Sequence, residues 1–460
     1  MERGYVKAKT SAGVDKKRFS IGKALFFIAA ACAAWIIMST ETSDIGDESV
    51  MPIFEDVTAA NRVYIETVYD NGLMMPGGDG DFGVNSYLSV SEAAFIAVRL
   101  YEDANSIPHS YDTYYTMQDA YINKALEYGI LPELSSTGEE PLTREGAAAI
   151  LSQFVQEGGA GYTKLKSIEN YTYRDAILKL YNLGITLDKN ASAAYSPDIP
   201  ITRGEMAQLV TMLLNPDTRK SISMPDYDGL ENMLSGMLSG YDGDWSLYFE
   251  DYETGETISI NSHQVFSASL IKLFVIQTVY QRIHDGLMSD SSETEELLRK
   301  MITYSDNDAW YSLTRKISGS THSAGMAIVT DTAEKTGFSD TGTFYLGHQG
   351  NYNYTSVNDC GRYLHMILNG EIVSPEYSAK ILDLLSQQQI RYKIPAGVPE
   401  AVEVANKTGE LDYMQGDAAI VYAPFGTYIL TVIGDDLKDT GTAQLQIREI
   451  SKAVYDFLNK

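Results

Sequence analysis

Ser269 stands three residues ahead of a lysine, in Ser269-Leu-Ile-Lys272. On a helix, positions three apart share a face, so the Lys272 side chain can meet the Ser269 hydroxyl. A serine hydroxyl is a poor nucleophile until a base takes its proton. Neutral Lys272 can be that base if burial and a second cation, Lys407, lower its pKa. A serine at a helix start also lies where free amides favour developing negative charge. The pairing is cheap by itself, since Ser20-Ile-Gly-Lys23 repeats it in a basic N-terminal segment. Two further groups follow in order. Tyr304-Ser305-Asp306-Asn307-Asp308 precedes a helical stretch, and Asn406-Lys407-Thr408-Gly409-Glu410 precedes strand-like text. Lys335-Thr-Gly337 copies the core of the latter, but no strand-rich segment follows it.

The elements that must hold these groups are legible around them. Leu273-Phe-Val-Ile276 is apolar all round, which predicts that the helix opened by Phe266-Ser-Ala-Ser269 is buried in a domain centre. Trp245–Tyr252 and Thr257–Ile260 read as strands joined by a turn at Glu253-Thr-Gly255. Asp417–Ala423 and Tyr428–Gly434 read as two more, and Gln444–Leu458 as a closing amphipathic helix. Strands at both ends with helices between them predict an α/β (α+β) domain over 230–460, an antiparallel sheet against a helical cluster.

Ser-x-x-Lys, Ser-Asp-Asn and Lys-Thr-Gly in this order form the signature of class A β-lactamases and penicillin-binding proteins, and residues 230–460 resemble that family. The flanking Tyr252-Glu-Thr-Gly255 and Gly416-Asp-Ala-Ala-Ile420 agree with it. The resemblance implies Ser269 as nucleophile, Lys272 as base, Ser305 as proton relay to the leaving nitrogen and Asn307 as an orienting amide. It also implies that Lys407 and Thr408 grip the substrate carboxylate, that Gly409 and Glu410 belong to the same substrate-binding run, and that the amides of Ser269 and Glu410 form the oxyanion hole. Two departures stand out. Only 36 positions separate Ser269 from Ser305, which implies a trimmed helical subdomain, and no glutamate lies between Glu334 and Glu371, where a deacylating acid belongs. The Gly-, Asn- and Tyr-rich stretch Thr341–Ser356 reads as a loop there. Asp340, or Lys272 acting a second time, is left to activate water. The expected substrate is therefore a β-lactam or a peptidoglycan stem peptide. The open alternatives are a β-lactamase, a D,D-peptidase or transpeptidase, a serine-dependent glutaminase, and a non-enzymatic wall-binding protein or antibiotic sensor.

Residues 51–214 read as three all-α repeats, and 215–229 as a Pro/Asp-rich linker. Each repeat has a helix ending in a glycine turn (Gly72, Gly129, Gly184), then a loop, then a Ser/Thr helix cap at Ser89, Thr143 or Thr202. Ile201-Thr-Arg203-Gly-Glu205 and Phe54-Glu-Asp56-Val57 resemble S-layer homology (SLH) repeats, which hold extracellular proteins to anionic wall polysaccharide. The resemblance implies a secondary cell-wall polysaccharide as partner, with Arg144 and Arg203 as anion contacts. Val90 and Gly146 depart from the motif, replacing its arginine and its glutamate.

Six lysines and arginines between Lys7 and Lys23 precede fifteen apolar residues, Ala24–Met38, and an acidic exit follows. That pattern over residues 1–40 predicts a signal peptide or signal anchor, hence a membrane contact through the N-terminal helix and an extracytoplasmic location. A formal net charge of −27 argues against nucleic acid as partner. Six scattered histidines and two cysteines give no metal-ligand spacing, so no metal or other cofactor is expected. Cys360 reads as a small buried hydrophobe.

Overall fold

The computed structural model describes residues 54–77, 80–109, 118–132, 138–187, 196–345 and 351–459. The predicted signal segment lies outside them, and among the described residues no helix is long and apolar enough to cross a membrane. The chain packs as two compact units. One holds the described residues up to Gly158 together with Asp198–Arg219, and the other holds Gly159–Pro197 with Lys220–Lys460. The units therefore do not follow the linear order of repeats, linker and hydrolase region, because the first half of the third repeat packs with the hydrolase unit.

The repeats contribute helices α1 (Arg62–Asp70), α2 (Val90–Ala104), α3 (Gln118–Tyr128), α4 (Arg144–Leu151), α5 (Arg174–Asn182) and α6 (Arg203–Leu214). All but α5 belong to the first unit. Ser89, Thr143 and Thr202 cap α2, α4 and α6 as predicted, each accepting from the amide three residues on. Glu92 and Glu205 reach back to complete capping boxes. Gly72, Gly129 and Gly184 follow α1, α3 and α5 with φ of 63°, 71° and 74°, the left-handed turn predicted for them. The residues before the three caps close a triangle of backbone hydrogen bonds. Leu88 N–H donates to Ile201 O (2.9 Å), Ile201 N–H to Leu142 O (2.8 Å) and Leu142 N–H to Leu88 O (2.8 Å). The three repeats thus meet around one pseudo-threefold axis, each loop satisfying its neighbour's amide.

In the second unit, α7 (Tyr227–Ser239) leads into β1 (Asp244–Asp251), β2 (Thr257–Ile260) and β3 (Val265–Phe266). Then come α8 (Lys272–His284), α9 (Ser292–Thr303), α10 (Asn307–Ser318) and α11 (His322–Thr336). Strands β4 (Gly342–Tyr345) and β5 (Asn351–Thr355) precede α12 (Val357–Leu368) and α13 (Pro375–Ser386). Strands β6 (Glu403–Leu411), β7 (Met414–Ala423) and β8 (Gly426–Asp435) lead to α14 (Thr440–Leu458). The main sheet is antiparallel in the order β2-β1-β8-β7-β6.

Side chains alternate across this sheet. Leu430, Val432, Ala419 and Val421 enter one core with α7 and α14. Ile429, Ile433, Ala418 and Ile420 enter the other, with α8 at its middle. Residues 272–280 of α8 are all buried, as the all-round apolar pattern requires. The predicted loop Thr341–Ser356 is instead a hairpin. Gly342 pairs with Tyr354, Thr343 with Asn353 and Phe344 with Tyr352, and β5 also pairs with β3. Glycine and asparagine suggested a loop, but the Thr/Phe/Tyr alternation carries the strand propensity that wins once β3 offers a partner.

Candidate active site

Ser269 sits in a 3-10 turn, Ala268–Ile271, and α8 proper begins at Lys272. Ala268 enters this turn at φ 44°, a left-handed backbone that an alanine adopts only under surrounding constraint. That constraint comes from β5, whose Asn353 O accepts from Ser267 N–H (3.0 Å), and from β6 packing against the turn at Gly409. A Cβ on Gly409 would fall 2.9 Å from Ser267 O and 3.0 Å from Leu270 Cγ. Only a glycine lets β6 come this close, which places the Glu410 amide beside the nucleophile turn.

Lys272 is buried, and its Nζ lies 3.1 Å from Ser269 Oγ. It also donates to Asn307 Oδ1 (2.8 Å), Ser305 O (2.6 Å) and Ser305 Oγ (3.3 Å). Ser305 holds this position with φ 58° at the α9–α10 turn, fixed by Asp306, which caps α10. From the other side Lys407 Nζ, fully buried, donates to Ser305 Oγ (3.0 Å) and Thr408 O (2.8 Å). The structure therefore joins Ser269, Lys272, Ser305, Asn307 and Lys407 through direct contacts, with Thr408, Gly409 and Glu410 continuing along β6. Burial lowers the Lys272 pKa to about 8, against a smaller opposing pull from Asp306. Lys407 is also pushed well down, first by burial and then by Lys272. Burial is what lets Lys272 give up its proton, while the nearness of Lys272 adds to the pressure on the Lys407 charge.

The sequence reading missed a second layer beneath β6. Lys393 is fully buried, donates to Gly409 O (3.2 Å) and Gly416 O (3.0 Å), and pairs with the Glu410 carboxylate (3.1 Å). Tyr392 OH donates to the same carboxylate. Asp417, also buried, accepts from Asn406 Nδ2 (2.9 Å) and the Ile394 amide (3.1 Å); burial pushes its pKa up to about 6 while Lys393 pulls it down. These groups satisfy the buried carbonyls of the two glycines and lock the strand that carries Lys407. A charged residue inside the apolar run of β7 marked Asp417; nothing in the loop sequence marked Lys393.

Asp340 does not reach the nucleophile. The small sheet is ordered β3-β5-β4, and the row Phe266, Tyr354, Gly342 fixes its register. Asp340 precedes the outer strand at the end away from Ser269, roughly 10 Å off across two strand spacings. The neighbouring Asp359 is committed to the Asp340 amide (2.9 Å) and Thr341 Oγ1 (2.8 Å). Cys360 is buried and its thiol is pushed up to about 12 by burial, so it is inert. Among the described residues no group of three or more His, Cys, Asp or Glu could hold a metal ion.

Residues 229–294 and 289–458, together half of the chain, match the model of the beta-lactamase enzyme family. The chain belongs to that family. No curated protein sequence matches the chain. Similar solved structures include PBP-A, at 23% identity and TM-score 0.45, covering 50% of this chain and 96% of that one. A β-lactamase from Sphaerobacter thermophilus matches at 20% and 0.44, covering 51% and 98%. The TLA-1 extended-spectrum β-lactamase matches at 18% and 0.45, covering 51% and 99%. The hydrolase unit is accordingly that of a serine β-lactamase-like enzyme.

In the repeat unit of this β-lactamase-like chain, the two arginines expected to contact anions are already engaged. Arg203 is 11% exposed and pairs with Glu92; its other donors go to Met75 O and Phe82 O. Arg144 pairs with Glu205 at 2.5 Å. Each arginine thus bridges to the capping acid of the next repeat around the axis, second to third and third to first. A first-to-second bridge would need an arginine at Val90 and a glutamate at Gly146. The two departures from the motif are one missing pair, and the arginines stitch repeats together rather than wait open for a ligand.

Proposed function

We propose that the protein is an exported serine hydrolase, held at the cell wall, that forms an acyl-enzyme with β-lactams through Ser269. The observation that carries this reading is the Ser269 Oγ to Lys272 Nζ contact at 3.1 Å, with Lys272 braced by Asn307 and Ser305. Neutral Lys272 takes the Ser269 proton as Oγ bonds to the lactam carbonyl carbon. The carbonyl oxygen gathers charge against the Ser269 and Glu410 amides. Collapse breaks the C–N bond, and the nitrogen takes a proton through Ser305 while Lys272 regains neutrality. The product is an ester at Ser269, which water must cleave. Lys407 and Thr408 supply the contacts for the substrate carboxylate. Export rests on the basic and apolar N-terminal residues, and wall anchoring on the three capped repeats.

A D,D-peptidase or transpeptidase acting on peptidoglycan stems is favoured by one specific observation. The hairpin that stands in place of a deacylation loop brings no carboxylate to Ser269. Treating the full chain with fluorescent penicillin tests both readings. Label should map to Ser269 and vanish in Ser269→Ala; label on another residue would refute the nucleophile.

A further inference from the structure

Lys393 Nζ reaches two carbonyls at once, Gly409 O (3.2 Å) and Gly416 O (3.0 Å). These two residues face each other across β6 and β7. In an antiparallel ladder, facing residues either exchange both N–H···O bonds or turn both groups away. One ammonium touches both carbonyls only where they turn toward each other, so Gly409 and Gly416 are a bonded pair. Each carbonyl therefore already accepts a ladder amide, and Lys393 takes up a second lone pair. The next residue, Glu410, must then direct its N–H away from β7. Because β6 is the last strand of the sheet, that N–H points to the free edge. Lys407 agrees with this alternation, since its Nζ meets Thr408 O together with Ser305 Oγ on that edge.

The Gly409 carbonyl and the Glu410 N–H belong to one planar trans peptide, so they point in opposite directions. A cation on that carbonyl fixes the direction of the N–H and polarises the peptide, which makes the N–H a stronger donor. The N–H emerges beside the nucleophile turn, since a Cβ on Gly409 would meet Ser267 O, Leu270 and Ala268. Keeping an ammonium there is costly. The Lys393 side chain has no exposed surface, and burial lowers its pKa against the pull of Asp417 and then Glu410. Its place in the chain is fixed by its neighbour Ile394, whose amide donates to Asp417 (3.1 Å) and whose carbonyl accepts from Ser451 Oγ (2.8 Å). A ladder already complete in its own bonds does not call for a buried cation. A peptide that must receive negative charge does.

We propose that Lys393 is a positioning residue for the reaction, holding the Gly409 carbonyl so that the Glu410 N–H is aimed and polarised to receive the oxyanion. This rests on the reading of Ser269 as the acylated nucleophile. The test compares the full chain with Lys393→Met, using benzylpenicillin and its methyl ester. A second variant, Lys393→Met with Glu410→Gln, removes the cation together with its partner, so that no unpaired carboxylate is left if the single change unfolds the chain. At saturating benzylpenicillin, acylation of Ser269 should slow about tenfold, less than the loss of a whole oxyanion donor. The half-saturating concentration should stay within about twofold, because the interaction belongs to the transition state. The methyl ester should lose the same factor. In both variants the ester carbonyl of the Ser269 adduct should move to higher wavenumber in infrared difference spectra, since a weaker N–H polarises it less. A carbonyl band that does not move overturns the proposal. So does a loss confined to the free acid, which would make Lys393 a contact for the substrate carboxylate. A wild-type chain that takes no label at Ser269 overturns the acyl-enzyme reading and this one with it, whereas labelled wild type with an unmoved variant band overturns this one alone.

Discussion

A lysine that must act as a base has to be neutral for part of the time at working pH. Burial brings Lys272 to about 8, so roughly a tenth of it is neutral at pH 7. The neutral form is the active one, so the rate of Ser269 acylation should rise with pH. We expect about a tenfold gain between pH 7 and 9, with levelling above 8, in stopped-flow labelling by penicillin. A flat profile would remove Lys272 from the base role. The three motifs were legible because each residue type is tied to a chemical task and their order is specific. Lys393 was not, because a buried lysine in an irregular loop leaves no periodic trace. Its role appears only when the carbonyls of Gly409 and Gly416 are seen to converge on it.

At the scale of elements, one hairpin decides the fate of the acyl-enzyme. Sheet order β3-β5-β4 keeps Asp340, just ahead of the outer strand, too far for an attacking water held at Ser269. General-base help is worth about 10²–10⁴ in rate, and among the described residues Lys272, in contact with Ser269 Oγ, is left to give it. The penicillin adduct should therefore persist for minutes, and Asp340→Ala should leave its lifetime unchanged within about twofold. A tenfold longer adduct in that variant, followed on gels over time, would restore Asp340. The main sheet and central helix were legible as apolar patterning, whereas the hairpin was not, since β5 is specified by pairing with β3 and β4 by pairing with β5. The repeat caps carry a second prediction. Arg203→Ala leaves the Glu92 carboxylate without its pair in a largely buried site and should cost about 2–4 kcal/mol. The exposed pair Arg62–Glu66 is the control, and Arg62→Ala should cost under about 1 kcal/mol. Calorimetry of the full-length variants reads both, and equal effects would deny the stitching role.

The whole molecule joins two compact units whose boundary does not follow the repeats. Sequence periodicity showed three repeats but not this partition, because residues 159–197 carry the repeat pattern while packing with the hydrolase unit. The proposed wall anchoring must work from such a chain, and its charge sets the terms. A formal net charge of −27 repels an anionic polysaccharide at long range, and both Arg144 and Arg203 are engaged in ion pairs. If wall binding were electrostatic, adding salt would weaken it. Repulsion between two acidic partners is instead screened by salt, with a Debye length falling from about 30 Å at 0.01 M to about 8 Å at 0.15 M. Attachment through hydrogen bonds and packing in the repeats would survive that change. We therefore expect full-length Ser269→Ala, which removes turnover, to pellet with walls that retain their polysaccharide. The bound fraction should hold or rise between about 0.01 and 0.15 M salt. A chain that stays in the supernatant at every salt concentration ends the anchoring proposal, and one released by salt would return the arginines to the role of open anion contacts.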